Sequence, residues 1–296
     1  NWWSNRDVDS YYFFLDFVDD KHKKIAYATS FGHESAHYPK NMQLKIRYLL
    51  SRFDAISVRE KSGVAACKKK FGVDAVQTMD PVFLCSMEDY ENAIALSDVE
   101  LKEPYVLAYI LNPTADKVEA VRYAAQELGQ PYYIILDGQG NFEELKKQTD
   151  DPNVLDPMEI ADWLKYFKYA SYVVTDSFHG FCYSIIFKHN MSVFPNKVRG
   201  LARFESLAEI TGLEDRFVWS KEAMVANAPW NRPVDFIEVQ NRMRPQIEFS
   251  RQWLKDALER KKRPRSAREL VWKRMLWLQK MMCYLRWKIR QIKPQK

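Results

Sequence analysis

Between positions 175 and 180 the sequence reads TDSFHG, which sets a carboxylate (Asp176), a hydroxyl (Ser177) and an imidazole (His179) side by side directly after the β-branched run SYVVT. A strand that ends there would hand its last residues to a helix running from about Phe178 to Lys188. Ser177 is then placed to cap the first turn, while the N–H groups of Phe178, His179 and Gly180 have no partner within the helix. Such a helix start carries roughly half a positive charge and suits a phosphate or carboxylate. A histidine in that turn can donate a hydrogen bond to the anion or move a proton, with Asp176 as a candidate to orient it or to accept a hydroxyl proton. The competing reading is purely structural, with Ser177 a cap and His179 a surface residue.

Three cations strengthen the anion reading. Lys197, Arg199 and Arg203 stand in FPNKVRGLARFESL, after the next expected strand, where they would reach the same strand-end loops. Arg59, in AISVRE, ends an earlier strand and suits a carboxylate or phosphate, although an ion pair with Glu60 or a helix cap would explain it as well. Asp80-Pro81 is read as turn chemistry. HESAH, residues 33–37, spells the zinc-protease pattern, but Gly32 precedes it and Tyr38-Pro39 follows, which leaves little more than one turn of helix. It is read as a polar strand-end loop rather than as two ligands on one helical face.

These residues need a scaffold, and the apolar pattern supplies one. Short runs such as KKIAYATSF, AISVRE, PYVLAYIL, PYYIILD, SYVVT and MSVF alternate with longer helical stretches, among them NMQLKIRYLLSRF, ADKVEAVRYAAQEL and PMEIADWLKYFKYA. That alternation predicts an α/β chain with parallel sheets, in which ligands bind at the carboxyl ends of strands. The expected division is 1–100, 101–220, a closing helical segment over 221–260 and a tail over 261–296, with the acidic stretch 86–103 as the break between two Rossmann-like halves.

Composition narrows the classes further. The 296 residues hold four scattered cysteines, so neither a zinc site nor a disulfide framework is expected, and a reducing cytoplasm fits. The opening NWWSNRDVDS does not have the layout of a signal peptide. The net charge of +6 is uneven: residues 260–296 hold 14 Lys or Arg against the single acid Glu269, so the preceding 259 residues are net −7. An acidic body offers nucleic acid no continuous path. The tail instead alternates Val271, Met275, Leu278, Met282, Leu285, Ile289 and Ile292 at helical spacing among tryptophans and cations. That predicts a basic amphipathic helix for an anionic membrane surface over 270–293, with a dimerising heptad seam as the competitor.

SVREKSG, DPVFL, YILNP and VVTDSFHGFCYSIIF, followed by ARFESLAEITGLEDR, resemble the polysaccharide pyruvyl transferase family from about Tyr12 to Arg260. The resemblance implies two Rossmann-like halves in a GT-B-like arrangement with a cleft between them. It implies transfer of pyruvate from phosphoenolpyruvate onto two sugar hydroxyls as a ketal, with phosphoenolpyruvate as donor and no cofactor or metal. It puts the family's histidine on His179, its cation after the following strand on Arg199 or Lys197, and its strand-end arginine on Arg59. Some members carry arginine where this chain has Ser177, a contact either absent here or supplied by Arg203. Members also open with a glycine-rich strand-turn-helix and a G-S-D-x-x-W segment, whereas this sequence starts with NWW, so the N-terminal half is expected to lack its first strand and helix. The reading is a pyruvyl transferase acting on a cell-surface polysaccharide or its lipid-linked precursor at the inner membrane face. The alternatives are a GT-B nucleotide-sugar glycosyltransferase and a non-catalytic sugar-binding relative.

Overall fold

The structure, a computed structural model, describes residues 9–32, 38–101, 104–137, 141–196 and 200–292. It divides into two compact units, Asn1–Thr78 with Phe249–Lys296, and Met79–Glu248. HESAH lies outside the described residues, as do Lys197 and Arg199.

The first unit is built on three parallel strands in the order β1 (Ile25–Thr29), β2 (Ala55–Val58) and β3 (Val76–Gln77). Helix α1 (Lys40–Ser51) crosses from β1 to β2, and α2 (Lys61–Ala66) leaves β2 toward β3. Ile46, Leu49, Val58 and Phe71 are buried in its core. Gly63 lets α2 close on its own strand, because a Cβ there would stand 3.1 Å from Val58 Cγ2.

The second unit begins earlier than the acidic stretch suggests. Met79 and Phe83 belong to its core, and residues 86–103 are not merely a polar break: α3 (Met87–Ile94) opens with a capping box between Ser86 and Asp89 and packs Tyr90 and Ile94 against Leu164. The strands are β4 (Val106–Ile110), β5 (Tyr132–Leu136), β6 (Tyr172–Thr175) and β7 (Asn190–Val193), all parallel, in the order β5-β4-β6-β7. Between them run α4 (Ala115–Leu128), α5 (Phe142–Thr149), α6 (Ile160–Tyr169) and α7 (Phe178–Ile186). After β7 come α8 (Ala202–Thr211) and α9 (Lys221–Asn227).

Both faces of this sheet are covered, which is why its strands read as unbroken apolar runs. Leu107, Val173 and Met191 point to one side and meet Phe167, Phe181 and Phe204; Val106, Ala108 and Val174 point to the other and meet Val121 and Ala124 of α4. Burying each Val, Leu or Ile side chain contributes about 1.5–3 kcal/mol, so the central strands are the firmest part of the unit.

The strand order has a functional consequence. The chain steps from β4 outward to β5, then returns to the other side of β4 to lay down β6. The crevice at the carboxyl ends of β4 and β6 is therefore a topological switch point, the usual ligand position in open α/β sheets.

Helix α10 (Phe236–Glu259) spans the division, with Val239 and Met243 in the second unit's core and Trp253 6.1 Å from Tyr27 in the first. The basic link after it is docked on the first unit rather than solvated. Asp54 accepts a hydrogen bond from the Arg263 backbone at 2.8 Å, the Phe53 carbonyl accepts one from Arg263 Nε at 2.9 Å, and Arg265 pairs with Asp20 at 2.6 Å. The chain ends in α11 (Ala267–Ile292), which lies along α1. Among the described residues no helix is long and apolar enough to cross a membrane.

Candidate functional site at the carboxyl ends of β4 and β6

The six residues of TDSFHG divide into those that build the turn and those that face out of it. Thr175 ends β6 opposite Tyr109 of β4, donates to the Tyr109 carbonyl at 2.6 Å and accepts from Ser177 N at 3.0 Å. Gly180 is needed three residues into α7, since a Cβ there would come within 2.1 Å of Thr175 Oγ1 and 2.9 Å of its Cβ. The helix start is thereby drawn tight onto the strand end.

Asp176 is a third builder. Its buried carboxylate accepts from the backbone N–H groups of Leu111 at 2.6 Å and Asn112 at 3.1 Å, and pairs with Lys117 Nζ at 2.6 Å. It thus ties the loop leaving β4 to the turn leaving β6, across the switch point. The expectation that Asp176 orients His179 is corrected by this geometry: its two oxygens are taken by the neighbouring strand's exit and by Lys117, as a buried charge requires.

The carboxylate beside the histidine is instead Asp80, whose Oδ2 stands 3.7 Å from His179 Nε2. Asp80 is buried at the start of the short 3₁₀ turn Pro81–Leu84, where its other oxygen accepts from Val82 N at 3.3 Å. The separation is longer than a hydrogen bond. Sequence reading gave Asp80 only its turn role. The cap is real, but spacing along the chain could not reveal that a residue 99 positions away would meet His179.

His179 itself projects from the N-terminal turn of α7 with 47% of its side chain exposed, between buried Phe178 and buried Gly180. No acidic residue occupies that first turn. Ser177 holds the N-cap position with extended backbone, but its hydroxyl makes no capping bond, so the expected cap is not formed. The reason lies one step back: Thr175 Oγ1 already fixes the turn through Ser177 N. The helix start therefore keeps its electrostatic preference for an anion without an internal carboxylate to satisfy it.

Of the expected cations, Arg203 arrives at this turn. It sits in the first turn of α8 with its guanidinium 5.4 Å from the centre of the Phe178 ring, a cation–π contact beside the first residue of α7. Arg59 belongs to the first unit, where it follows β2, donates from Nη1 to the Ala28 carbonyl at 3.3 Å and is half-buried. The neighbouring Glu60 carboxylate accepts from Phe31 N at 2.8 Å.

Another concavity of the second unit, lined by Arg122, Gln126, Gln130, Tyr132 and Asn153, lies at the amino ends of its strands. It is on the opposite edge of the sheet from the α7 N-terminus. Among the described residues no group of three or more His, Cys, Asp or Glu is placed to hold a metal ion.

Solved structures with similar folds include the wall teichoic acid polymerase TagF, at 13% identity with a TM-score of 0.42 over 80% of this chain and 66% of that one. They also include the UDP-GlcNAc 2-epimerase of Neisseria meningitidis, at 10% identity with a TM-score of 0.44 over 84% of this chain and 66% of that one. The chain thus spans slightly less than two thirds of the length of each. These likenesses are loose, and the fold described above stands on the chain's own two sheets. No curated protein sequence matches this chain. A family model does: it covers residues 1–197, taking in both strand-to-helix turns described here, and by that match the chain belongs to the polysaccharide pyruvyl transferase family.

Proposed function

We propose that this protein transfers pyruvate from phosphoenolpyruvate to two hydroxyls of a polysaccharide or its lipid-linked precursor, forming a cyclic ketal and releasing phosphate. The observation that carries this reading is the α7 N-terminus: a helix start at the switch point with no acid in its own first turn, with His179 exposed there beside Asp80 and Arg203 alongside. A small phosphorylated acid needs an anion cradle and a proton donor, and this turn offers both chemistries.

In the proposed reaction His179 gives a proton to the methylene carbon, which becomes a methyl group and leaves C2 electron-poor. One sugar hydroxyl bonds to C2 and returns a proton to the histidine. The C2–O bond to phosphorus then breaks, and the second hydroxyl closes the ring as its proton departs with the phosphate. Asp80 is proposed to hold the imidazole, and Asp176 to keep the β4 exit in place rather than to react. Ser177 and Arg203 are proposed contacts for the donor, while Lys197, Arg199 and Arg59 are assigned to it through the family resemblance.

The test is phosphate release from phosphoenolpyruvate with candidate lipid-linked glycans as acceptors. The reading predicts release that depends on both substrates, and thermal stabilisation by phosphoenolpyruvate. Stabilisation by UDP- or GDP-sugars with none by phosphoenolpyruvate would favour a glycosyltransferase instead. Glycan binding without consumption of phosphoenolpyruvate would mark a non-catalytic relative.

A further inference from the structure

Helix α11 lies outside the stretch matched by the family model and is turned in an unexpected direction. At 26 residues it is about 39 Å long at 1.5 Å per residue. The face that meets the first unit is narrow: Glu269 is buried, Trp272, Leu276 and Gln279 are half-buried, and the Trp272 ring lies 3.4 Å from where a Gly72 Cβ would stand. These positions recur at three- and four-residue steps, so they form one stripe. The richer apolar stripe, Val271, Met275, Leu278, Met282 and Leu285, falls on another side of the helix and faces solvent, each residue 39–55% exposed.

A helix that needed only to pack on its own unit would turn its larger apolar face inward. The docked link forbids that. Lys262, Arg263 and Arg265 pair with Asp54, the Phe53 carbonyl and Asp20, and Arg265 also reaches Glu269 at 3.5 Å, so the start of α11 is held in one rotation. The same pairs take Lys262, Arg265 and the helix's sole acid, Glu269, out of the electrostatic count. What stays exposed is a long apolar stripe with Trp277 at 61% and Trp287 at 55% exposure, among six exposed Lys and Arg between Arg268 and Lys288.

We infer that α11 is a membrane-surface helix, seated on α1 by its Trp272 face and lying on an anionic bilayer with Val271, Met275, Leu278, Met282 and Leu285 in the headgroup region. Charge selects this occupant over a second copy of the chain. Two α11 helices side by side would bring like charges to both flanks of the seam, with no acid on either to pair across it. A nucleic acid would meet the cations but leave the apolar stripe in water. An anionic lipid surface satisfies both: apolar side chains enter the interface, tryptophans suit its polar–apolar boundary, and Lys and Arg meet the headgroups. The helix is amphipathic and not a span, in keeping with its hydropathy.

The test is co-sedimentation of the full chain with phosphatidylcholine vesicles, with and without phosphatidylglycerol. Binding is expected only with the anionic lipid and should weaken with salt. The pair Leu278→Ser and Met282→Ser alters exposed side chains alone, so the thermal melt should be unchanged while vesicle binding falls by about tenfold or more. Replacing Arg274, Arg286 and Lys288 by Gln should lower binding by about fivefold per charge. Three results would overturn the inference: vesicle binding unaffected by the serine pair, a concentration-dependent dimer that the serine pair abolishes, or single-stranded nucleic acid bound in preference to anionic vesicles.

Discussion

Two strand-to-helix turns in this chain share one spacing and diverge in use. In the first unit β2 ends at Val58 and Gly63 follows five residues later; in the second β6 ends at Thr175 and Gly180 follows five residues later. In both, the glycine lets the helix close on the last residue of its own strand, and in both an acid just past the strand accepts backbone N–H from the exit of the neighbouring strand. The difference lies in what is left over. Glu60 occupies the N-cap position of α2 and puts a buried carboxylate at the helix start. In the second unit the acid is one position earlier and neutralised by Lys117, Ser177 takes the N-cap, and His179 stands where the first unit has Ser62. One spacing thus yields a helix start with a carboxylate at its N-cap and one without.

The largest expected effect follows from that asymmetry. His179→Ala should lower phosphate release from phosphoenolpyruvate by about 10²–10⁴-fold, the range for removing a proton-transferring side chain. Ser62→Ala, at the matching position of the first unit, should leave the rate unchanged. Comparable losses from the two variants in a steady-state assay would break the comparison.

Next come the glycines. Gly180→Ala should cost about 3 kcal/mol in denaturant unfolding, because the new methyl meets a strand-end hydroxyl that is already committed to Tyr109 and Ser177. Gly63→Ala adds a methyl at 3.1 Å from Val58, a milder clash, and its gain in helix propensity offsets about 1 kcal/mol. Its net change should stay within about 1 kcal/mol. Equal costs would mean that the tighter contact at Thr175 has no energetic weight.

A smaller and pH-dependent effect belongs to His189 of the second unit. Burial pushes its pKa down to about 4. The folded value lies below the ordinary one near 6.5, so the neutral ring favours the native state. That contribution is complete above about pH 6.5 and is lost as pH falls toward 4, up to about 3 kcal/mol in all. Urea midpoints measured across this window should drop for the parent chain and flatten for His189→Asn.

Much of the scaffold was legible in the sequence because its signals are local. The expected helix over ADKVEAVRYAAQEL coincides with α4, bounded by Thr114 as cap and Gly129 in a left-handed conformation, and the β-branched YVVT forms a strand buried on both faces. Helix α3 was hidden by its acids, which read as a break although Ser86 and Asp89 form a capping box. The site was legible at His179, whose position relative to a strand end and a glycine is set within six residues. It was not legible at Asp80, because contact with His179 depends on Met79 and Phe83 joining the second unit's core. The outward turn of the apolar stripe on α11 depends likewise on the docking of Arg263 and Arg265 to residues more than 200 positions earlier.

The most direct measurement is the imidazole spectrum of the ¹⁵N-labelled protein during titration with phosphoenolpyruvate. The account predicts a saturable shift in the His179 ring signals, identified by their loss in His179→Ala, with the buried His189 signals left in place. Saturable binding of phosphoenolpyruvate that leaves the His179 resonances unmoved would contradict it.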